Sequence, residues 1–337
     1  HTVKNQFGQF ALHIIPSGIF NPKAANIIGR GVAVDLESLI EDEFKQLKDA
    51  GVSWKNLIVD EQATLTMPWH RLRDGLREKQ RSSKIGTTGK GVGPTYADRV
   101  ERVGLQVKDL VGPEFKQKLK DELDFQNQFF KLKLSFAQIF KKYEKYAKTI
   151  KPHVTKTIPL VKKAIAAKQN VLFEGAQGYF LDIDAGTYPF VTSSNTGTLG
   201  IWRCFDIHPA KINHVIGITK AYTTRVGSGP MPTKMAGEVR EIIIEKGAEI
   251  GTTSGRIRDP GWLDLVLLKV AADANRVTSL AITKLDVLSG FKNLKVCIGY
   301  RSNGRPADYL SGDADYLGKC QPVYETLPGW QEEISNI

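Results

Sequence analysis

Short β-patterned runs alternate with amphipathic helical stretches along this chain, and that alternation limits its fold more than any other feature. Residues 170–173, 213–218, 279–282 and 294–298 read as strands. Residues 160–167 and 262–274 read as helices, the second lying between two of the strands. Successive strands joined through helices run parallel, because a parallel pair needs a long crossover. The expected fold class is therefore α/β, with a mainly parallel central sheet flanked by helices. Asp35 can cap a helix whose apolar residues Leu36, Leu39, Ile40, Phe44 and Leu47 fall mostly three and four apart, with Gly51 as its stop. Residues 115–148 read as one or two basic helices. Their stripe of Phe125, Phe129, Phe130, Leu134, Phe136 and Phe140 is assigned to the core, and their lysines to solvent. With no internal repeat and no linker rich in Pro, Gly or Ser, residues 1–337 are expected to form one domain.

Composition removes several function classes. No apolar run approaches the ~18 residues of a membrane span, and the most apolar stretch, 263–270, carries Asp264 and Lys269. Cys204, Cys297 and Cys320 are widely spaced and form no CxxC pair, which argues against a disulfide framework or zinc cage and fits a reducing cytoplasm. His13, His70, His153, His208 and His214 fall in no metal-ligand motif. The net charge of +11 calls for an anionic partner. Its basic residues are spread over many segments without a nucleic-acid motif, so the expected partners are phosphorylated small molecules rather than nucleic acid or membrane.

Five segments carry chemistry. Residues 84–94, KIGTTGKGVGP, combine an open glycine-rich backbone with Thr87, Thr88 and two lysines, a composition suited to cradling an anion. The segment is not a GxxxxGK[ST] loop, and a plain surface loop is its bland alternative. Residues 171–178, VLFEGAQG, run an apolar strand into a polar turn. In an open α/β sheet the ligand crevice lies beyond such strand ends, which points to Glu174 and Gln177. Residues 224–230, TRVGSGP, and 251–258, GTTSGRIR, are loops of small hydroxyl residues and arginines, the latter with two planar forks for carboxylate or phosphate. Residues 283–286, TKLD, follow a strand and resemble the guanine-reading [NT]KxD signature. There a carboxylate accepts from guanine N1–H and the 2-amino group, a donor pair that adenine lacks.

In order and spacing, the chain resembles the adenylosuccinate synthetases. The resemblance rests on KIGTTGKGVGPTYADR at 84–99, VLFEGAQG at 171–178, LDIDAGTYPFVTSSNT at 181–196, KAYTTRVGSGP at 220–230, GRIRDPGWLD at 255–264, TKLDVLSG at 283–290 and PVYETLPGW at 322–330. It implies a P-loop-NTPase-like architecture and a cytoplasmic homodimeric ligase that makes adenylosuccinate from IMP, L-aspartate and GTP with Mg2+. A carboxylate base takes the N1 proton of IMP, O6 attacks the γ-phosphate, and the aspartate amino group displaces phosphate from 6-phosphoryl-IMP. The resemblance assigns His1 as catalytic proton donor, and Thr88, Arg102, Gln177, Thr192, Val226 and Arg256 to IMP, with Arg102 reaching into the partner's site. It assigns Thr252, Thr253, Ser254, Gly255, Arg256, Ile257 and Arg258 to aspartate, and Arg258, Lys284, Leu285 and Asp286 to GTP.

The family's GDEGKGK loop, which supplies the base, a phosphate lysine and part of the magnesium site, is not among these residues; nor is its C-terminal tail. The chain is accordingly expected to be trimmed at both ends and inactive by itself. A viral-type synthetase acting on a guanine nucleotide, and a GTP-binding module without ligase activity, are the alternative readings.

Overall fold

The computed structural model describes residues 2–82, 85–251, 255–307 and 310–335. The chain divides into two compact units. One comprises His1–Ser83, Thr87–Gly175 and Leu199–Pro209; the other comprises Lys84–Gly86, Ala176–Thr198 and Ala210–Ile337.

The first unit is built on a parallel sheet in which Leu57–Asp60 lies between Asn26–Ile28 and Val154–Thr155. The same unit also holds a short parallel pair, Ala33–Val34 with Thr64–Leu65, and an antiparallel hairpin of Thr2–Asn5 and Gly8–Ala11. Asp35 does receive the N–H groups of Glu37 and Ser38, and Gly51 closes the helical run at φ 69°. Between them the expected α-helix is wound as a π segment, Ser38–Glu43, before the α-helix Phe44–Asp49. The wider winding still buries Leu36, Leu39, Phe44 and Leu47.

Residues 115–148 become two helices, Phe115–Phe129 and Phe136–Ile150. The second starts at Ser135, whose Oγ accepts from Gln138 N at 3.4 Å, and buries Ile139, Tyr143, Tyr146 and Ile150 at spacings of four, three and four. The expected core stripe is partly wrong. Phe125 and Phe129 are 49 % and 68 % exposed, because the buried row of the first helix is Phe115, Leu119, Leu123 and Gln126. Phe125 stands two residues from Leu123, on the opposite side of a helix that turns about 100° per residue.

The second unit pairs Ile216–Lys220 with Ser279–Thr283 in parallel, the second strand being preceded by the helix Leu265–Asn275. A separate ladder runs Leu263–Asp264 parallel to Asn293–Ser302, which pairs antiparallel with Gln321–Pro328. The helix expected from 262 starts later. Asp264 caps it by accepting from Leu267 N at 2.9 Å, and Leu263–Asp264 joins the sheet instead.

The strand expected at 170–173 is not formed: among the described residues that segment has no ladder partner, and Leu172 is 85 % exposed. The Ile216–Lys220 and Ser279–Thr283 pair exposes Ile216 and Ile218 on one face and Leu280 and Ile282 on the other, whereas parallel strands are ordinarily covered on both faces. Among the described residues no helix is long and apolar enough to cross a membrane, and Cys204, Cys297 and Cys320 are free thiols.

Candidate functional site

The strand Ser279–Thr283 delivers Lys284 in a left-handed conformation, φ 63°. That backbone turn sends Lys284 Nζ to the Gly247 carbonyl at 2.9 Å. Asp286 then opens the short turn Asp286–Leu288 and remains exposed, with no ion pair among the described residues. Lys284, Leu285 and Asp286 border a cavity of about 440 Å³, together with Ile282, Ile334 and Ser335. The motif's lysine and carboxylate thus stand at a strand end on the rim of one cavity. Ile334 and Ser335 lie in no motif that would have placed them there.

Residues 249–251 and 256–258 of the second unit form a narrow antiparallel turn-back. Arg258 N donates to Glu249 O at 2.9 Å, Gly251 N donates to Arg256 O at 2.8 Å, and Ile250 bridges to Ile257. Gly255 adopts φ 64° and donates to the Gly251 carbonyl. Arg256 Nη2 holds the Gly86 carbonyl at 2.8 Å, while Ile257 is 52 % exposed. Thr252, Thr253 and Ser254 lie outside the described residues, as does His1.

Glu249 sits at the base of this turn-back, fully buried. It accepts from Lys220 Nζ at 2.7 and 2.8 Å, from the Tyr222 hydroxyl, and from Arg258 Nη1 at 3.4 Å. Burial pushes its carboxyl up, but the Lys220 and Tyr222 hydrogen bonds outweigh that and hold it below the usual range. Burial also lowers Lys220, and it raises Tyr222 in concert with the carboxylate.

The segment carrying Thr192 is pinned by Asp182, which accepts from the backbone N–H of Asp184, Ala185 and Thr196 at 2.9, 3.2 and 2.6 Å. Burial opposes ionisation of Asp182, yet these donors keep its carboxyl below the ordinary value. Thr192 N itself bonds the Leu181 carbonyl at 2.8 Å. Arg225, next to Val226, ties the same region down: Nη2 reaches Thr187 Oγ1 at 3.1 Å and the Phe190 carbonyl at 3.0 Å. Gly229 packs on that guanidinium so closely that a Cβ would stand 2.2 Å from Nη2. Gln177 is exposed at φ 60°.

Two of the described assigned residues belong to the first unit. Thr88 is exposed in the loop before the helix Val92–Glu101, and Arg102 is exposed just past that helix, at φ 69°. Among the described residues there is no group of three or more His, Cys, Asp or Glu that could hold a metal ion.

The sequence reading passed over Lys220, Tyr222, Arg225, Asp182 and Glu249. The first four lie inside motifs already quoted. Glu249 stands among ordinary residues, and only its burial distinguishes it.

A family model described as adenylosuccinate synthetase matches residues 1–337. The adenylosuccinate synthetase of Halothermothrix orenii is 47 % identical over 344 residues, covering 100 % of this chain and 80 % of that protein. That of Gloeothece citriformis is 43 % identical over 343 residues, covering 100 % and 76 %. A solved structure of the fully ligated adenylosuccinate synthetase from Plasmodium falciparum superposes with a TM-score of 0.94 at 30 % identity, over 99 % of this chain and 80 % of that one. The succinoaminodeoxyadenylate synthetase of cyanophage S-2L, solved with dGMP and dATP, gives a TM-score of 0.60 at 17 % identity, covering 85 % and 74 %; that likeness is of fold alone.

Proposed function

The chain belongs to the adenylosuccinate synthetase family, and from that premise we propose how its residues divide the work. The family's activity is the GTP-dependent ligation of L-aspartate to IMP, a step of AMP synthesis, and the viral-type alternative is not favoured at these identities. The observation that carries the proposal is the cavity of about 440 Å³ with Lys284, Leu285 and Asp286 on its border.

In this reading Asp286 accepts from the guanine N1–H and 2-amino group, while the Lys284 stem covers the base. Arg258 offers the unused side of its fork to aspartate and to GTP, and Arg256 stands near IMP and aspartate together with Thr252, Thr253, Ser254, Gly255 and Ile257. Thr88, Gln177, Thr192 and Val226 hold IMP, and His1 donates a proton where the phosphoryl group moves. Most of the catalytic contribution is positioning and charge stabilisation, as for phosphoryl transfer generally.

Mg2+ enters the proposal as the ion that accompanies the triphosphate. The described residues do not form a cage of three or more His, Cys, Asp or Glu for it, and no step of this reading passes through it. The one-domain organisation is supported by the family model, which runs unbroken over residues 1–337. A cytoplasmic location is supported by three free thiols. A homodimer is supported by the apolar residues Val100 and Val103 exposed on either side of Arg102. The test is adenylosuccinate formation by the full-length protein supplied with IMP, aspartate, GTP and Mg2+. Product is expected, and its absence with all four present overturns the reading.

A further inference from the structure

A carboxylate removed from water without partners is too costly to keep charged, so Glu249 must be there for the groups that hold it. Those groups differ in what they have left to give. Lys220 Nζ makes two contacts to Glu249 and a third to Thr224 Oγ1 at 3.0 Å, which uses all its protons. Tyr222 gives its only proton to Glu249. Among the described residues Arg258 commits Nη1 alone, at 3.4 Å, and its side chain is 31 % exposed. A guanidinium has five donors in a rigid plane, so fixing one edge on a buried carboxylate aims the remaining donors.

The backbone supports the same arrangement. Ala248 is held at φ 47°, an uncommon conformation for a residue with a side chain. It turns the chain between Gly247, whose carbonyl takes Lys284 Nζ, and Glu249, whose carboxylate takes Arg258. One three-residue turn therefore touches both the lysine at the cavity rim and the arginine of the turn-back.

We propose that Glu249 is a positioning residue of the ligase: it orients the Arg258 guanidinium so that its free edge meets the carboxylate of the incoming aspartate, with Lys220 and Tyr222 holding Glu249 itself in place. This rests on the reading that Arg258 contacts aspartate. Glu249 does not touch substrate; it acts through Arg258.

The test is a double-mutant cycle in the full-length protein, read as KM for aspartate against KM for IMP. Arg258→Leu is expected to raise the aspartate KM by roughly tenfold or more, the loss of a charge-assisted hydrogen bond. If it does not, the reading of Arg258 fails. Glu249→Gln is expected to raise the aspartate KM in the same direction with the IMP KM little changed. The double variant should be no worse than Arg258→Leu alone. An aspartate KM unmoved in Glu249→Gln, an equal rise for both substrates, or additive effects in the double variant would each overturn the positioning role while leaving Arg258 in place. Should Glu249→Gln fail to fold, Tyr222→Phe removes one donor and keeps the carboxylate. It should raise the aspartate KM by about two- to fivefold in the parent background and not in Arg258→Leu; no rise in the parent overturns the proposal.

Discussion

The imidazole of His70 meets the carboxylate of Asp98 at 2.9 Å inside the first unit, with both side chains almost wholly out of solvent. Their contact joins the helix Pro68–Gln80 to the helix Val92–Glu101, at whose two ends lie the Thr88 loop and Arg102. Asp98 also takes Arg73 Nη1 at 2.6 and 2.7 Å. His70 Nδ1 accepts the Met67 N–H at 2.9 Å, so the ring proton sits on Nε2 and points at Asp98. The ring is therefore neutral, and the charge partner of Asp98 is Arg73.

This geometry predicts acid sensitivity. Burial keeps the folded His70 pKa below 6.5 despite Asp98. From pH 6.5 downward the unfolded chain binds the proton first, and folded stability falls as the pH drops, by at most about 1.4 kcal/mol per pH unit for one proton. Asp98 is penalised by burial, yet its hydrogen bonds to His70 and Arg73 hold it below 3.8, so its own contribution is lost only further down. Denaturant titrations at pH 7 and 5 should show the decline, and His70→Gln should flatten it. A slope that survives the substitution would clear His70 of the effect.

Asp286→Asn should leave a folded protein and erode the choice of GTP over ATP. The side chain is exposed and bonds no other described residue, so little structure depends on it. An amide offers one oxygen and one NH2 where two guanine donors expect two oxygens. The GTP-to-ATP ratio of kcat/KM should fall by about 10- to 100-fold. An unchanged ratio would take Asp286 out of base reading.

The parts of this molecule legible in the sequence were those with local signatures. The strand at 279–283, followed by Lys284 and Asp286, could be placed because a strand end and a four-residue motif coincide. The failures have physical causes. The apolar run at 170–173 has strand composition, but a strand also needs a ladder partner, and no described residue pairs with it. The phenylalanine stripe had helical spacing, yet the row Leu119, Leu123 and Gln126 took the buried side and turned Phe125 and Phe129 outward. Glu249 was invisible, because a buried carboxylate becomes recognisable only when Arg258 of the same turn-back and Lys220 and Tyr222 of a separate segment converge on it.

Two glycines near Thr88 should respond differently to the same methyl group. Gly91 sits at φ 77° and gives its N–H to Asp74 Oδ2 at 3.0 Å. A Cβ there would stand 2.7 Å from Arg71 N and 2.8 Å from the His70 carbonyl carbon, backbone that cannot swing aside. Gly89 has φ 69° with nothing within 4 Å of a Cβ. Gly89→Ala should cost only the left-handed strain, about 1–2 kcal/mol. Gly91→Ala should cost more and raise the IMP KM by displacing the start of the helix that follows Thr88. Equal destabilisation by the two substitutions would refute the close packing.

The surface around Arg102 makes a prediction about assembly. Val100 is 74 % exposed and Val103 41 %, and the neighbouring helix Pro68–Gln80 exposes Leu72 at 44 % and Leu76 at 39 %. Apolar side chains exposed on two packed helices, with Val100 and Val103 flanking an exposed cation in sequence, suit an interface whose centre excludes charge and whose arginine reaches a ligand beyond it. Val100→Glu would place an unpaired carboxylate in that contact, so sedimentation should show the dimer weakened or lost. On the proposed reading of Arg102 as a contact to the partner's IMP, the IMP KM should rise in step. Arg102→Leu should raise the IMP KM equally while the protein remains dimeric. A Val100→Glu variant that is monomeric with an unaltered IMP KM would detach Arg102 from the partner's site. One that remains fully dimeric would remove this face from the interface.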